Sequence, residues 1–106
     1  MPTEPEEPTA ASLSLERVLH ALSDPIRLDI VRRLARDGCT GCSALDYPLG
    51  KSTVSHHLRT LRLAGLTHTD LDGTSRFLTL RADDIEERFP GLLTVVGAPV
   101  PPPVAS

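Results

Sequence analysis

The apolar positions of the chain fall into stripes whose period changes part-way along. Leu15, Val18, Leu19 and Leu22 recur at i, i+3, i+4 and i+7, so the spacing predicts a first helix with a single buried face. The stretch "SDPIRLDIVRRLARDG" carries every signal for a second helix. Asp24 can cap it, Pro25 suits its first position, Ile26, Ile30, Val31 and Leu34 line one face, and Gly38 stops it. In "CTGCSALDYPLG" only a short helix around Ser43 to Tyr47 fits, because Pro48 disfavours helical geometry in the residue before it. A further helix runs from about Lys51 to Ala64 and ends at Gly65. Beyond Gly65 the period shortens. "LTHTDLDGTSRFLTLR" reads as two antiparallel strands around the turn signal Asp72-Gly73. A last helix begins near Asp83 or Asp84 and buries Ile85, Phe89, Leu92, Leu93 and Val96, with Pro90 expected to split or kink it. No internal repeat is visible.

The fold class that follows is mainly α with a small β-hairpin, in the order α-α-α-α-β-β-α. A chain of 106 residues has room for one small domain, read here as residues 12–97. Seven of the ten prolines lie in residues 1–8 and 99–103, so residues 1–11 and 98–106 are expected to be disordered tails. Aromatic residues make up only 3%, which leaves Leu, Val, Ile and Ala to build the interior and favours closing part of the surface against a second copy. No apolar run approaches the roughly 18 residues of a membrane span, and the N-terminus is acidic where a secretory signal would be basic. The expectation is a cytoplasmic protein with no membrane partner.

Net charge is −3, but its distribution reverses what the total suggests. Residues 24–81 hold nine Lys and Arg against six Asp, whereas residues 1–23 hold one Arg against four Glu, and residues 82–106 one Arg against four acids. The middle of the chain is the basic part, and local charge governs contact with nucleic acid.

Within that middle, the helix from Lys51 divides by side. Val54, His57, Leu58 and Leu61 share one face, which makes His57 a packed histidine, while Ser52, Ser55, His56 and Arg59 share the other. Small hydroxyls permit close approach to a duplex, the N-terminal amides suit phosphate, and Arg can pair with guanine O6 and N7. Lys51 and Thr53 stand at the same end. The preceding short helix and tight turn give helix-turn-helix spacing, and Thr74, Ser75 and Arg76 sit at or beyond the hairpin tip, as in a wing. The element order is that of a winged helix, and double-stranded DNA is the expected partner.

"ALSDPIRLDIVRRLARDG", "KSTVSHHLRTLRLAGL" and "LDGTSRFLTL" together resemble the ArsR/SmtB family of bacterial winged-helix repressors. The matching positions are Asp24, Pro25, Arg27, Leu28, Ile30, Val31, Ser52, Ser55, His57, Leu58, Leu61, Ala64, Gly65 and Leu66, within a resemblance covering about residues 13–96. It implies a transcriptional regulator that is no enzyme, and a homodimer built on the first and last helices. Here those helices offer Leu15, Val18, Leu19 and Leu22, then Ile85, Phe89, Leu92 and Leu93. It also implies a two-fold symmetric operator read by Ser52, Ser55, His56 and Arg59, with Arg76 reaching phosphate or the minor groove.

Many members of that family release DNA on binding a metal. The arsenic and cadmium type uses Cys-x-Cys within the short helix; this chain has Cys39-Thr-Gly-Cys42 at the turn entering it. Two thiolates leave an arsenite or zinc site incomplete, so His20, His68, carboxylates or the partner chain would have to complete it. A reversible disulfide and a pair of unligated thiols are the other readings. Zinc- and nickel-sensing members place Asp and His on the last helix, which here has acids but no histidine. Asp83, Asp84, Glu86 and Glu87 are read as an acidic first turn favoured by the helix dipole. Zinc, nickel, copper and arsenite thus stand as candidate inducers with none assigned. The competing class is a winged helix that serves as a protein-interaction module without DNA binding. An enzyme is a poor reading, since no phosphate loop or nucleophile-base constellation is present, and Ser55 and His56 lie about 100° apart on a helix.

Overall fold

The computed structural model of the chain describes residues 6–99. Helix α1, Leu15–Leu22, starts where the Ser14 hydroxyl accepts a hydrogen bond from the Arg17 amide. Helix α2, Pro25–Asp37, begins as its signals require. The Asp24 carboxylate accepts from the amides of Ile26 and Arg27 at 2.8 and 3.1 Å, and Pro25 occupies a position that needs no amide donor. Gly38 ends the helix at a φ of +76°.

The next segment differs from its sequence reading. Strand β1, Thr40–Gly41, comes first, and the expected helix from Ser43 to Tyr47 is a single 3-10 turn, Cys42–Ala44. Leu45 leaves the helical region at a ψ of 77° and buries its side chain, and Pro48 disfavours a helical Tyr47, so no second turn can form. Helix α3, Lys51–Ala64, then runs to Gly65, whose φ of +88° is left-handed and where a Cβ would collide with Leu13 Cδ2. Backbone and close approach both demand glycine there.

The hairpin forms as expected. Strands β2, Thr67–Asp72, and β3, Ser75–Leu80, pair antiparallel from Thr67 opposite Leu80 to Asp72 opposite Ser75. β1 adds to the other edge of β3, with Thr40 opposite Leu78 and Gly41 opposite Phe77, giving the order β1-β3-β2. Pro90 splits the last helix into α4, Ala82–Arg88, and α5, Leu92–Val95, with Gly91 at a φ of +87° between them. The result is a helical domain with a small three-stranded sheet, a winged helix.

Val18, Ala21, Ile30, Val31, Leu34, Leu61, Leu66, Leu78, Ile85 and Leu93 form the core. The stripe on α1 is wider than the protomer covers: Val18 and Leu22 are buried, whereas Leu15 and Leu19 are 42% and 48% exposed. Of the eight positions assigned to a dimer, Val18, Leu22, Ile85 and Leu93 therefore serve the protomer's own core. Leu15 and Leu19 stay outside it, and Phe89 and Leu92 are half-buried. Residues 1–5 and 100–106, most of the expected tails, lie outside the described residues. Residues 6–8 lie along the body: Arg62 Nε donates to the Glu6 carbonyl at 3.1 Å and Arg81 Nη1 to the Pro8 carbonyl at 2.7 Å. At the other end Arg32 Nε donates to the Val96 carbonyl at 2.9 Å, and Ala98 is buried. Among the described residues no helix is long and apolar enough to cross a membrane.

Candidate nucleic-acid interface

Helical periodicity puts the two sides of α3 to different uses. His57, Leu61 and Ala64 are buried, and Val54 and Leu58 half-buried, while Lys51, Ser52, Thr53, Ser55, His56 and Arg59 are all exposed. Thr74, Ser75 and Arg76 are exposed as well. Arg76 lines a groove with Lys51 and Ser55 and a neighbouring one with Thr74 and Ser75, so wing and helix open onto one region.

None of these nine side chains makes a hydrogen bond or ion pair among the described residues. The rest of the molecule behaves otherwise. Arg27, Arg32, Arg33, Arg36, Arg62, Arg81 and Arg88 each donate to an internal acceptor, whereas Arg17, Arg59 and Arg76 find none among the described residues. Among the described residues no side chain caps the N-terminus of α3; the Thr53 amide donates to the Gly50 carbonyl, and the amides of Lys51 and Ser52 are left to an outside acceptor.

Two anchors hold this helix, and the sequence pattern assigned neither of them that role. Tyr47 donates to Asp29 Oδ2 at 2.5 Å and lies 5.6 Å under the Arg33 guanidinium, which also donates to the Ala44 carbonyl. Burial, then the Asp29 carboxylate, push the Tyr47 hydroxyl above its ordinary pKa, keeping it a donor. The loop into α3 is thus tied to α2. The second anchor is Arg27, buried beneath α3, which meets His57 Nδ1 at 3.2 Å. A signal for it was present, since Arg27 precedes Ile30, Val31 and Leu34 on the apolar stripe of α2. Asp24, held below the usual carboxylate range chiefly by the Arg27 amide, stands close by, with Oδ2 3.9 Å from His57 Nδ1 and too far for a hydrogen bond.

A family model described as a helix-turn-helix domain matches residues 22–70. The chain is 38% identical over 80 residues, 73% of its length and 80% of the relative's, to the uncharacterised HTH-type transcriptional regulator YceK of Bacillus subtilis. It is 34% identical over 74 residues to another, MJ1325 of Methanocaldococcus jannaschii, covering 66% of this chain and 81% of that one. Among solved structures, NolR from Sinorhizobium fredii superposes with a TM-score of 0.61 at 27% identity, over 79% of this chain and 85% of that one. The ArsR family transcriptional regulator RHA00566 shares the fold, with a TM-score of 0.64 at 24% identity over 70% of this chain and 82% of its own. The chain belongs to the HTH-type transcriptional regulators, on a winged-helix fold. Both YceK and MJ1325 carry the description of HTH-type transcriptional regulators.

Cys39 is exposed and Cys42 half-buried, and burial pushes the Cys42 thiol up against the opposing pull of Arg76. Among the described residues no group of three or more His, Cys, Asp and Glu is arranged to hold a metal ion. His68 is engaged at both ring nitrogens, by Glu7 at 2.7 Å and Asp70 at 2.9 Å, and His20 lies exposed on α1. On α4, Asp83 and Asp84 occupy the first turn as expected, Asp84 pairs with Arg81, and Glu86 accepts from the Gly91 amide.

Proposed function

We propose that the protein binds duplex DNA at a specific operator as a homodimer, with α3 of each protomer in the major groove of one half-site. The observation that carries this is the unengaged outer side of α3. Six exposed side chains there, all hydroxyl, imidazole or cationic, have no internal partner among the described residues, and Arg76 of the wing, likewise unengaged among them, lines a groove with Lys51 and Ser55. A protein-docking face would be richer in apolar groups. Ser52, Ser55, His56 and Arg59 read base edges; Lys51, Thr53, Thr74, Ser75 and Arg76 meet the backbone or the minor groove. The dimer closes over Leu15 and Leu19, which the protomer leaves uncovered, and spaces half-site centres about 34–36 Å apart or a multiple of that.

The Cys39 and Cys42 pair is the candidate for modulation, because Cys42 lines both grooves into which Arg76 opens. A thiophilic ion completed by a second protomer, or a disulfide, would act there on the wing. The test is a binding titration with the upstream region of the protein's own gene against a scrambled duplex, repeated with zinc, nickel, copper(I), arsenite and an oxidant. Preference for the upstream duplex supports the reading, and equal affinity for both defeats it. Replacing both cysteines with Ser should abolish any response while leaving DNA binding intact; a surviving response places the sensor elsewhere.

A further inference from the structure

Arg27 is a buried cation, 8% exposed, whose guanidinium is committed to neutral acceptors. Its Nε donates to the Ala21 carbonyl at 2.7 Å, Nη2 to the His20 carbonyl at 3.3 Å, and Nη1 lies 3.2 Å from His57 Nδ1. Ala21 and His20 belong to the last turn of α1, where the His20 carbonyl also accepts from the Ser23 amide and hydroxyl. One side chain at the start of α2 therefore joins the end of α1 to the middle of α3.

A guanidinium can only donate, so in this contact His57 Nδ1 accepts and the ring proton sits on Nε2. The nearest carboxylate, Asp24, cannot replace this bond. Its Oδ2 is 3.9 Å away and already accepts from two amides of α2. His57 is also the immediate neighbour of His56, about 100° around the helix, with ring centroids 6.0 Å apart. Whatever fixes the rotation of His57 about the axis of α3 fixes that of Ser55, His56 and Arg59.

From this geometry we propose that Arg27 and His57 are positioning residues for operator reading: their bond sets the rotation of α3 against α1, without either side chain touching DNA. The inference rests on the DNA-binding reading above. A rotation of about 10° moves a tip about 6 Å from the helix axis by roughly 1 Å, enough to break a base-edge hydrogen bond. Phosphate contacts by flexible cations tolerate such a change. The signature is thus loss of selectivity with non-specific binding retained, which simple destabilisation of the fold would not produce.

The experiment compares wild type, His57→Leu, His57→Asn and Arg27→Lys, as full chains, on the upstream duplex and on a scrambled duplex across a salt series. His57→Leu, which removes the acceptor, should weaken upstream binding about tenfold and leave scrambled binding and its salt slope within about twofold. His57→Asn, whose Oδ1 stands near the place of Nδ1, should recover most of the loss. Arg27→Lys, with one ammonium in place of the fork, should lose selectivity as His57→Leu does. Nitrogen-15 spectra of the wild type should show Nδ1 unprotonated and Nε2 protonated. The proposal is overturned by folded His57→Leu with unchanged selectivity, by His57→Asn no better than His57→Leu, or by a protonated Nδ1. If His57→Leu does not fold, retained selectivity in His57→Asn with loss in Arg27→Lys upholds the proposal, and equal selectivity in both overturns it. A wild type that fails to prefer the upstream duplex defeats the DNA-binding reading itself, a result distinct from all of these.

Discussion

The outer side of α3 and the corner where residues 6–8 cross β2 are both polar and both at the surface, yet their chemistry is opposite. At the corner, Glu7 Oε1 meets His68 Nδ1 at 2.7 Å, Glu7 Oε2 accepts from the Thr69 amide at 3.0 Å, and Asp70 meets His68 Nε2. Arg62 and Arg81 are engaged there too. On α3, the side chains of Ser52, Ser55, His56 and Arg59 have no internal partner among the described residues. Exposure alone does not separate these two surfaces; the presence or absence of internal partners does. A polar group whose hydrogen bonds are complete contributes to the fold, and one whose bonds are open is available to a ligand.

The sharpest test of that contrast lies within α3 itself. Leu61, fully buried on its inner side, should cost about 2–5 kcal/mol of stability when replaced by Ala, measured by denaturant unfolding. Arg59→Ala, on the opposite side, should leave stability within about 0.5 kcal/mol and cost about 1–3 kcal/mol in operator binding. Unchanged affinity with an intact fold removes Arg59 from the interface. Arg76→Ala should weaken binding to all sequences alike and reduce the salt slope by about one, since the wing is assigned to backbone contact.

A smaller effect probes a fully engaged group. Asp24→Ala removes the acceptor for two amides of α2 and should cost about 1 kcal/mol. The low carboxyl pKa gives the sign of its pH dependence: the contribution is present above the unfolded-state value and is lost as pH falls through the folded-state value. Urea midpoints for wild type and variant should therefore converge at acid pH, and parallel curves would mean that the cap contributes nothing.

These contrasts also explain what could be read from the chain alone. Helices α2 and α3 and the hairpin were legible because their signals are local: Asp24 and Pro25 at a start, Gly38 and Gly65 at ends, Asp72-Gly73 between strands. The outward side of α3 was legible for the same reason, being a matter of spacing along one helix. β1 was not, since two residues carry no alternation and Thr40–Gly41 becomes a strand only because β3 offers an edge. Glu7 lies in a segment whose proline and acid content reads as a tail, and nothing in that composition announces His68 some sixty positions away. Arg27 stood on an apolar stripe, but its acceptors are backbone carbonyls of another helix, which sequence does not display.

The smallest expected effect comes from His68, and it tests whether the corner is engaged as its geometry implies. The Glu7 carboxylate first, then Asp70, raise the His68 pKa above its ordinary value of 6.5, with partial burial opposing them. A raised folded-state value means that protonated His68 stabilises the corner fully below the unfolded-state pKa and that this is lost as pH rises through the folded-state pKa. The imidazole side chain is 47% exposed, so solvent screening keeps the effect small and local. The amide of Thr69, which donates to Glu7, is the reporter. Its protection against hydrogen exchange, corrected for the intrinsic rate, should fall in the wild type as pH rises above the ordinary imidazole value of 6.5. In His68→Gln, which keeps a polar side chain without the charge, it should stay flat. Equal pH dependence in both proteins would show that Glu7 is held by the Thr69 amide alone. The charge on His68 would then join the open groups of α3 as one that the fold does not use.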